Sequence, residues 1–360
     1  MAVDLPKNRE GQTNGAGTTS TVNARQRTRA WARRGAIATV LGGVLLSSLA
    51  VVLSLPTWIQ FLPFGISVVV LGLPHGAVDH LVIPRARGEH PRWRSMLGVG
   101  ILYLLVGGVY TLLWLLEPAV AFGAFILVTA LHWGQGDVYA LRVFEETTHL
   151  ENGFNRAATL AVRGSIPMLV PLVAFPGEYE RVATAIVGLV DPSAVTALEP
   201  AFTRTGRLVV AFGLGTLILA TLVMGFVRTN GDRRPWFIDA AETIGLVGYF
   251  ALVPPILAIG LYFCLWHSLR HILRTMLLDP VARGALEDGD SRRAWRRFAR
   301  DATPLTLGGL AVIGLLALAL PQAPGGLDET LGLYLIGIAV LTLPHVVVVA
   351  LLDRIEGVWR

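Results

Sequence analysis

Residues 255–278 read PILAIGLYFCLWHSLRHILRTMLL, and this stretch decides the fold. It exceeds the ~20 apolar residues that cross a bilayer. Lipid offers no partner for open backbone groups, so a run of this kind is a helix. Inside it stand His267 and His271, an i, i+4 pair that puts two imidazoles on one helix face.

The rest of the chain has the same character. Of its 360 residues 53% are hydrophobic and 15% charged, with mean hydropathy +0.59. A soluble domain carries about 25% charge, so an ordinary soluble enzyme is excluded. Cys264 is the only cysteine, which excludes an intrachain disulfide framework. The predicted class is an all-α, polytopic transmembrane bundle. The expected spans are 36–55, 57–83, 95–116, 118–141, 157–175, 206–227, 238–253, 255–278, 303–320 and 329–352, ten in all. No internal repeat is visible, which argues against a transporter of inverted halves.

Three parts are expected: a disordered basic tail over 1–34, a transmembrane catalytic domain over 35–353, and a short C-terminus over 354–360. The tail is polar and aperiodic, and is not a signal peptide. The net charge is +5, almost all from arginine, since Lys7 is the only lysine. With ten spans, Arg25–Arg34, Arg85–Arg94, Arg228–Arg234 and Arg283–Arg300 fall on one side. Glu117, Glu178, Asp191, Glu199 and Asp328 fall on the other. The positive-inside rule then puts both termini in the cytoplasm of a multi-pass plasma-membrane protein. This orientation accounts for the basic balance without a nucleic-acid partner. Within the loop 176–205, residues 181–190 read as a short surface helix. The loop 279–302 reads as a basic surface segment, solvated or against anionic headgroups.

Five histidines lie deep in spans. His75 is ten residues before Arg85 and His132 ten before Arg142. His267 and His271 are twelve and eight before Asp279, and His345 is nine before Arg354. At 1.5 Å per residue all sit roughly 12–18 Å from the cytoplasmic surface. A lone intramembrane histidine is more often an interhelical hydrogen bond. Imidazoles from four helices at one depth instead indicate a transition-metal site, because polar groups in lipid are costly and face the bundle interior. Nitrogen ligation without cysteine suits Fe, Zn, Cu or Ni, not Mg or Ca. Open coordination positions favour oxygen chemistry on Fe(II) over a closed zinc.

Asp79, four residues after His75, either orients a ligand imidazole or pairs with Arg85. His345 reads as a fifth ligand, a group behind the ligands, or a substrate contact. Asp137 is a second costly buried carboxylate, and Trp133 walls a cavity. His80 lies nearer the interface, and His90 and His149 read as solvated loop residues.

Four motifs taken together, G-L-P-H-G-A-V-D-H (72–80), H-W-G-Q-G-D (132–137), W-H-S-L-R-H (266–271) and L-P-H (343–345), resemble the Brp/Blh family of bacterial and archaeal membrane β-carotene 15,15′-dioxygenases. The likeness covers roughly residues 55–350. It implies a non-haem Fe(II) enzyme that uses O2 as co-substrate and cleaves β-carotene at its central double bond into two retinals. It implies iron ligands at His75, His132, His267 and His271, and leaves His345 unassigned. Asp79 and Asp137 are then expected to orient ligands. Trp133, Tyr139, Tyr262, Phe263 and Trp266 are expected along a tunnel that takes β-carotene sideways from the lipid phase. A functional link to a retinal-binding rhodopsin follows from the product. Rival readings are another His-ligated membrane iron oxidase of desaturase or hydroxylase type, a haem cytochrome, and a proton- or metal-coupled transporter. A covalent retinal receptor is excluded because no span contains a lysine.

Overall fold

A computed structural model describes residues 16–54, 56–229, 231–321 and 324–360. Among these residues there is no strand. Nine helical segments are long and apolar enough to cross a membrane.

Helix α1 (Ala16–Val52) opens the bundle. The next crossing is broken into α2 (Leu62–Val69), α3 (Gly72–Gly76) and α4 (Asp79–Ala86). Long helices follow: α5 (Trp93–Leu116), α6 (Pro118–Val143) and α7 (Gly153–Ala174). Shorter α8 (Pro176–Gly188) and α9 (Glu199–Phe202) lead to α10 (Arg204–Arg228) and α11 (Arg234–Leu252). The stretch quoted at the outset forms α12 (Pro255–Leu261), a π-helical segment (Tyr262–Ser268) and α13 (Leu269–Leu278). The chain ends with α14 (Pro280–Asp288), α15 (Ser291–Ala319) and α16 (Leu327–Glu356).

Large apolar side chains stand on the outer face, with Leu104 74% and Leu318 84% exposed. A bilayer covers such a surface; water does not. Inside, α6 and α7 meet through glycines. A Cβ on Gly164 would fall 1.7 Å from the Ala130 carbonyl oxygen, and one on Gly134 would fall 2.2 Å from that of Leu160. Only a missing side chain permits so close an approach.

Several expectations change. The span at 57–83 is not one rod. Leu71 and Val78 leave helical geometry on either side of α3. Pro74 lacks an N–H, and a Cβ on Gly72 would meet the Ser67 carbonyl oxygen at 2.5 Å, so the chain turns tightly here. The tenth expected span, 238–253, is a helix (α11) but is not among the nine, because Asp239 and Glu242 lower its apolarity.

The tail expected to be disordered through residue 34 is helical from Ala16; residues 1–15 lie outside the described ones. Its polar composition is offset by tertiary partners. Ala24, Thr28 and Ala32 are buried, and Arg29 donates to Glu145 at 2.7 Å. Burial would raise the Glu145 carboxyl, but hydrogen bonds from Arg33 and Arg29 hold it below its ordinary value. The segment expected as a short surface helix at 181–190 is the second half of α8, with Ala183, Ile186 and Val187 buried. The basic loop at 279–302 is α14 plus the start of α15, and Arg297 there binds Asp279 at 2.7 Å. The C-terminus is docked: Val358 is buried, and Arg156 donates to the Trp359 carbonyl at 2.8 Å.

Candidate metal centre

The five intraspan histidines come from five separate segments: His75 on α3, His132 on α6, His267 in the π segment, His271 on α13 and His345 on α16. All five are buried and their rings converge. Centroids of His132 lie 4.6 Å from both His267 and His345. His75 is 5.0 Å from His345 and 5.4 Å from His267 and His271. Two of the segments that carry them are irregular. The broken second crossing and the π turn re-aim side chains away from a regular helical stripe, and π turns are frequent at functional sites.

The hydrogen bonds fix tautomers. His75 Nδ1 faces the Gly72 carbonyl oxygen. A carbonyl cannot donate, so Nδ1 carries the proton and Nε2 keeps a lone pair. His345 Nδ1 donates to Asp79 Oδ2 at 2.7 Å, again freeing Nε2. Neither Nε2 has a hydrogen-bond partner, although both are buried. His132 Nε2 and His267 Nε2 are 2.9 Å apart. Two nitrogens held ~2.1 Å from one ion at right angles would stand about 3 Å apart. One nitrogen each from His75, His132 and His345 lie within 4.8 Å of one another, as do ligand atoms of Asp79, His271 and His345. Orphaned lone pairs, convergent rings and a donor set dominated by imidazole nitrogen fit a divalent transition metal.

Small residues make room. A Cβ on Gly76 would lie 3.3 Å from His345 Nδ1, and one on Gly136 would lie 3.3 Å from His267 Cε1 and Nδ1.

A cavity of about 610 Å3 meets this cluster and is lined by His75, His132 and His345. Its size is within the ~300–1,000 Å3 of small-molecule sites. Most of the wall is apolar, including Phe122, Phe125, Tyr179, Ala183, Ile186 and Leu335. It also takes in Met96 of α5 and Leu305 of α15, which are 38% and 45% exposed, so the cavity reaches the outer face of the bundle.

Of the expected tunnel residues, Trp133 and Phe263 line this cavity. Tyr139, Tyr262 and Trp266 do not. The Arg274 guanidinium lies 4.1 Å over the Tyr139 ring. Tyr262 stacks among Trp133, Phe250 and Trp266. Trp266 donates to Asp137 Oδ1 at 2.9 Å, with Arg270 4.2 Å over its ring.

The two carboxylates part company as well. Asp79 binds His345 and accepts from Tyr103 at 2.6 Å, while Arg85 pairs with Asp301 instead. Asp137 touches no histidine. It pairs with Arg270 at 3.0 Å, and Arg163 lies 3.6 Å away. His90 is exposed as expected, but His149 is buried and bonds Asp239 at 2.9 Å. Tyr103 carries no spacing or motif signal; its contact with Asp79 and its place on the cavity wall put it at the site.

Fold and site together define a multi-pass helical membrane protein whose buried histidine centre opens onto an apolar cavity. The family model for β-carotene 15,15′-dioxygenase matches residues 66–353, and the chain belongs to that family. It is 41% identical over 309 residues to the probable β-carotene 15,15′-dioxygenase Blh of Halobacterium salinarum, covering 85% of this chain and 88% of that one. It is 33% identical over 319 residues to the probable β-carotene 15,15′-dioxygenase Brp of the same species, covering 85% and 87%. To the β-carotene 15,15′-dioxygenase of uncultured marine bacterium 66A03 it is 24% identical over 206 residues, covering 57% and 65%. No solved structure matches significantly.

Proposed function

We propose that this chain cleaves β-carotene at its 15,15′ double bond with O2, each product carbon taking one oxygen atom, to give two molecules of retinal. The observation that carries the reading is a cavity with an apolar wall and unpartnered histidine nitrogens in it. A long hydrocarbon has no polar handle, so recognition must come from shape and from exclusion of water. The desaturase-type and transporter readings lack support of this kind: the chain has a single HxxxH and no paired halves.

We assign iron to His75, His132, His267 and His271. Bound Fe(II) supplies the one-electron chemistry that lets triplet O2 react with a closed-shell alkene. The protein's part is positional. The Gly72 carbonyl holds His75 so that Nε2 faces the cluster, and the π turn brings His267 Nε2 against His132 Nε2. Trp133 and Phe263 wall the cavity beside these rings and keep water from it. No titrating side chain is needed, because the overall reaction moves no proton.

Entry from the lipid phase is assigned to the exposed stretch of wall at Met96 and Leu305. We place the protein in the cell membrane with both termini cytoplasmic, which requires α11 to count as a tenth crossing. A retinal-binding rhodopsin is the partner class that would consume the product.

Expression in a β-carotene-producing bacterial host tests the reading. Bleaching of the orange pigment with retinal appearing in extracts supports it. Unchanged carotene beside a folded, iron-loaded protein would sink it.

A further inference from the structure

His345 is unlike a hydrogen-bonded core histidine. Its Nδ1–H is committed to Asp79 Oδ2 at 2.7 Å, and the same oxygen accepts from the Tyr103 hydroxyl at 2.6 Å. Its Nε2 is buried without a partner. The ring lies 4.6 Å from His132, 5.0 Å from His75 and 5.1 Å from His271, measured between centroids. It is the one residue common to both groups of side chains whose ligand atoms come within 4.8 Å of one another.

We propose that His345 is a fifth imidazole ligand of the metal centre, with Asp79 and Tyr103 as positioning residues that fix its donor nitrogen. This rests on the reading of the histidine cluster as a metal site. A ligating histidine characteristically gives its other N–H to a carboxylate or a backbone carbonyl, which sets both tautomer and ring direction. Within this cluster His345 and His75 have that support, from Asp79 and Gly72. The alternative role, a contact to substrate, fails on chemistry. The cavity around His345 is mostly apolar, and a hydrocarbon offers nothing to a buried lone pair, whereas a cation does. Gly76 belongs to the same arrangement: a methyl there would press on the face of His345 at Nδ1, against the Asp79 bond.

The test is metal binding by the purified full chain, with Co(II) as the probe and no turnover. Dissociation constants come from competition with a chelator, and the d–d absorption reports coordination number. Wild type should bind cobalt with the weak bands of a five- or six-coordinate ion. His345→Ala should weaken binding more than Asp79→Asn does and intensify those bands as one ligand is lost. Added imidazole should reverse both changes. Asp79→Asn should weaken binding about 10–100-fold, the range for an outer partner of a metal ligand. Tyr103→Phe should change it less.

A folded His345→Ala protein with the wild-type dissociation constant and spectrum overturns the proposal. If that variant does not fold, Asp79→Asn decides, and unchanged affinity there overturns it too. Failure of the wild type itself to bind cobalt is a different result: it removes the metal-centre reading, and the fifth ligand with it.

Discussion

Among the polar clusters buried in this bundle, two lie close together and are built on opposite principles. One is the histidine layer: five imidazoles, several with nitrogens that meet no hydrogen-bond partner, beside a cavity. The other is made of ions. Arg163 binds Asp239 at 2.8 Å and Glu242 at 3.2 Å, and Arg270 binds Glu242 at 2.7 Å and Asp137 at 3.0 Å. Arg29 and Arg33 hold Glu145 beside them, so four guanidiniums face four carboxylates. Charges in the ionic cluster answer one another across α1, α6, α7, α11 and α13. Burying them is tolerable only because they are paired. The histidine layer leaves its nitrogens open, and that openness marks it as a place where something binds. Both clusters cost free energy to bury; only the histidine layer lines the large apolar cavity.

If the distinction is right, damage to the two clusters should read out differently. The largest effect is expected from His132→Ala, which should abolish retinal formation and lower bound iron while the melting temperature of the metal-free protein changes little. Retained activity removes His132 from the ligand set. Next is Arg163→Met, which leaves Asp239 without its guanidinium and Glu242 with Arg270 alone. Breaking a buried ion pair this way costs about 3–5 kcal/mol, visible as a lower thermal midpoint in detergent. The metal affinity of the fraction that remains folded should stay near wild type, and a selective loss of metal would erase the comparison.

Ala183→Phe comes third. It adds a ring to the cavity wall far in sequence from any histidine, and a penalty of about 1–3 kcal/mol on substrate binding corresponds to roughly a five- to 150-fold drop in kcat/KM. Bound iron should be unchanged; a parallel loss of iron would show that cavity and metal centre are not separable. Trp266→Phe is a probe of similar size. It removes one hydrogen bond to Asp137, worth about 1.5–3 kcal/mol for a charged acceptor. Because Trp266 does not line the cavity, kcat/KM should hold while stability falls, and the reverse would return Trp266 to the tunnel.

Smallest is the acid dependence of Glu145. Its depressed pKa contributes stability that is complete above the unfolded carboxylate range and is lost as pH falls through the folded value. Glu145→Gln should flatten that limb of a pH–stability profile.

The histidines were legible because imidazole in hydrocarbon is expensive, so five at one depth cannot be incidental. Helix content was legible for the complementary reason that lipid forbids open backbone groups. Which aromatic rings face the cavity was not. Trp133 and Phe263 do, while Tyr262 and Trp266, one turn apart on the adjoining face, meet Phe250, Asp137 and Arg270 instead. Periodicity groups the rings by face but does not say which face meets the cavity. Asp137 is a similar case. Five residues after His132 it reads as a partner for an imidazole, but Trp266 and Arg270 reach it from across the bundle. His149 reads as a surface residue because its sequence neighbours are polar. Asp239, from α11, draws it inside.

The sequence by itself determined a helical membrane protein, the depth of its histidines and, through four short motifs, its family. These follow from the cost of polarity in lipid and from local spacing, both of which act along one chain. Tertiary structure alone decided which carboxylate serves the histidines and which serves the arginines, that Tyr103 stands behind Asp79, and where the cavity meets the lipid. Those are choices between partners on different helices. Hydropathy and periodicity say how deep a side chain lies and on which face, and they carry no information about what waits there.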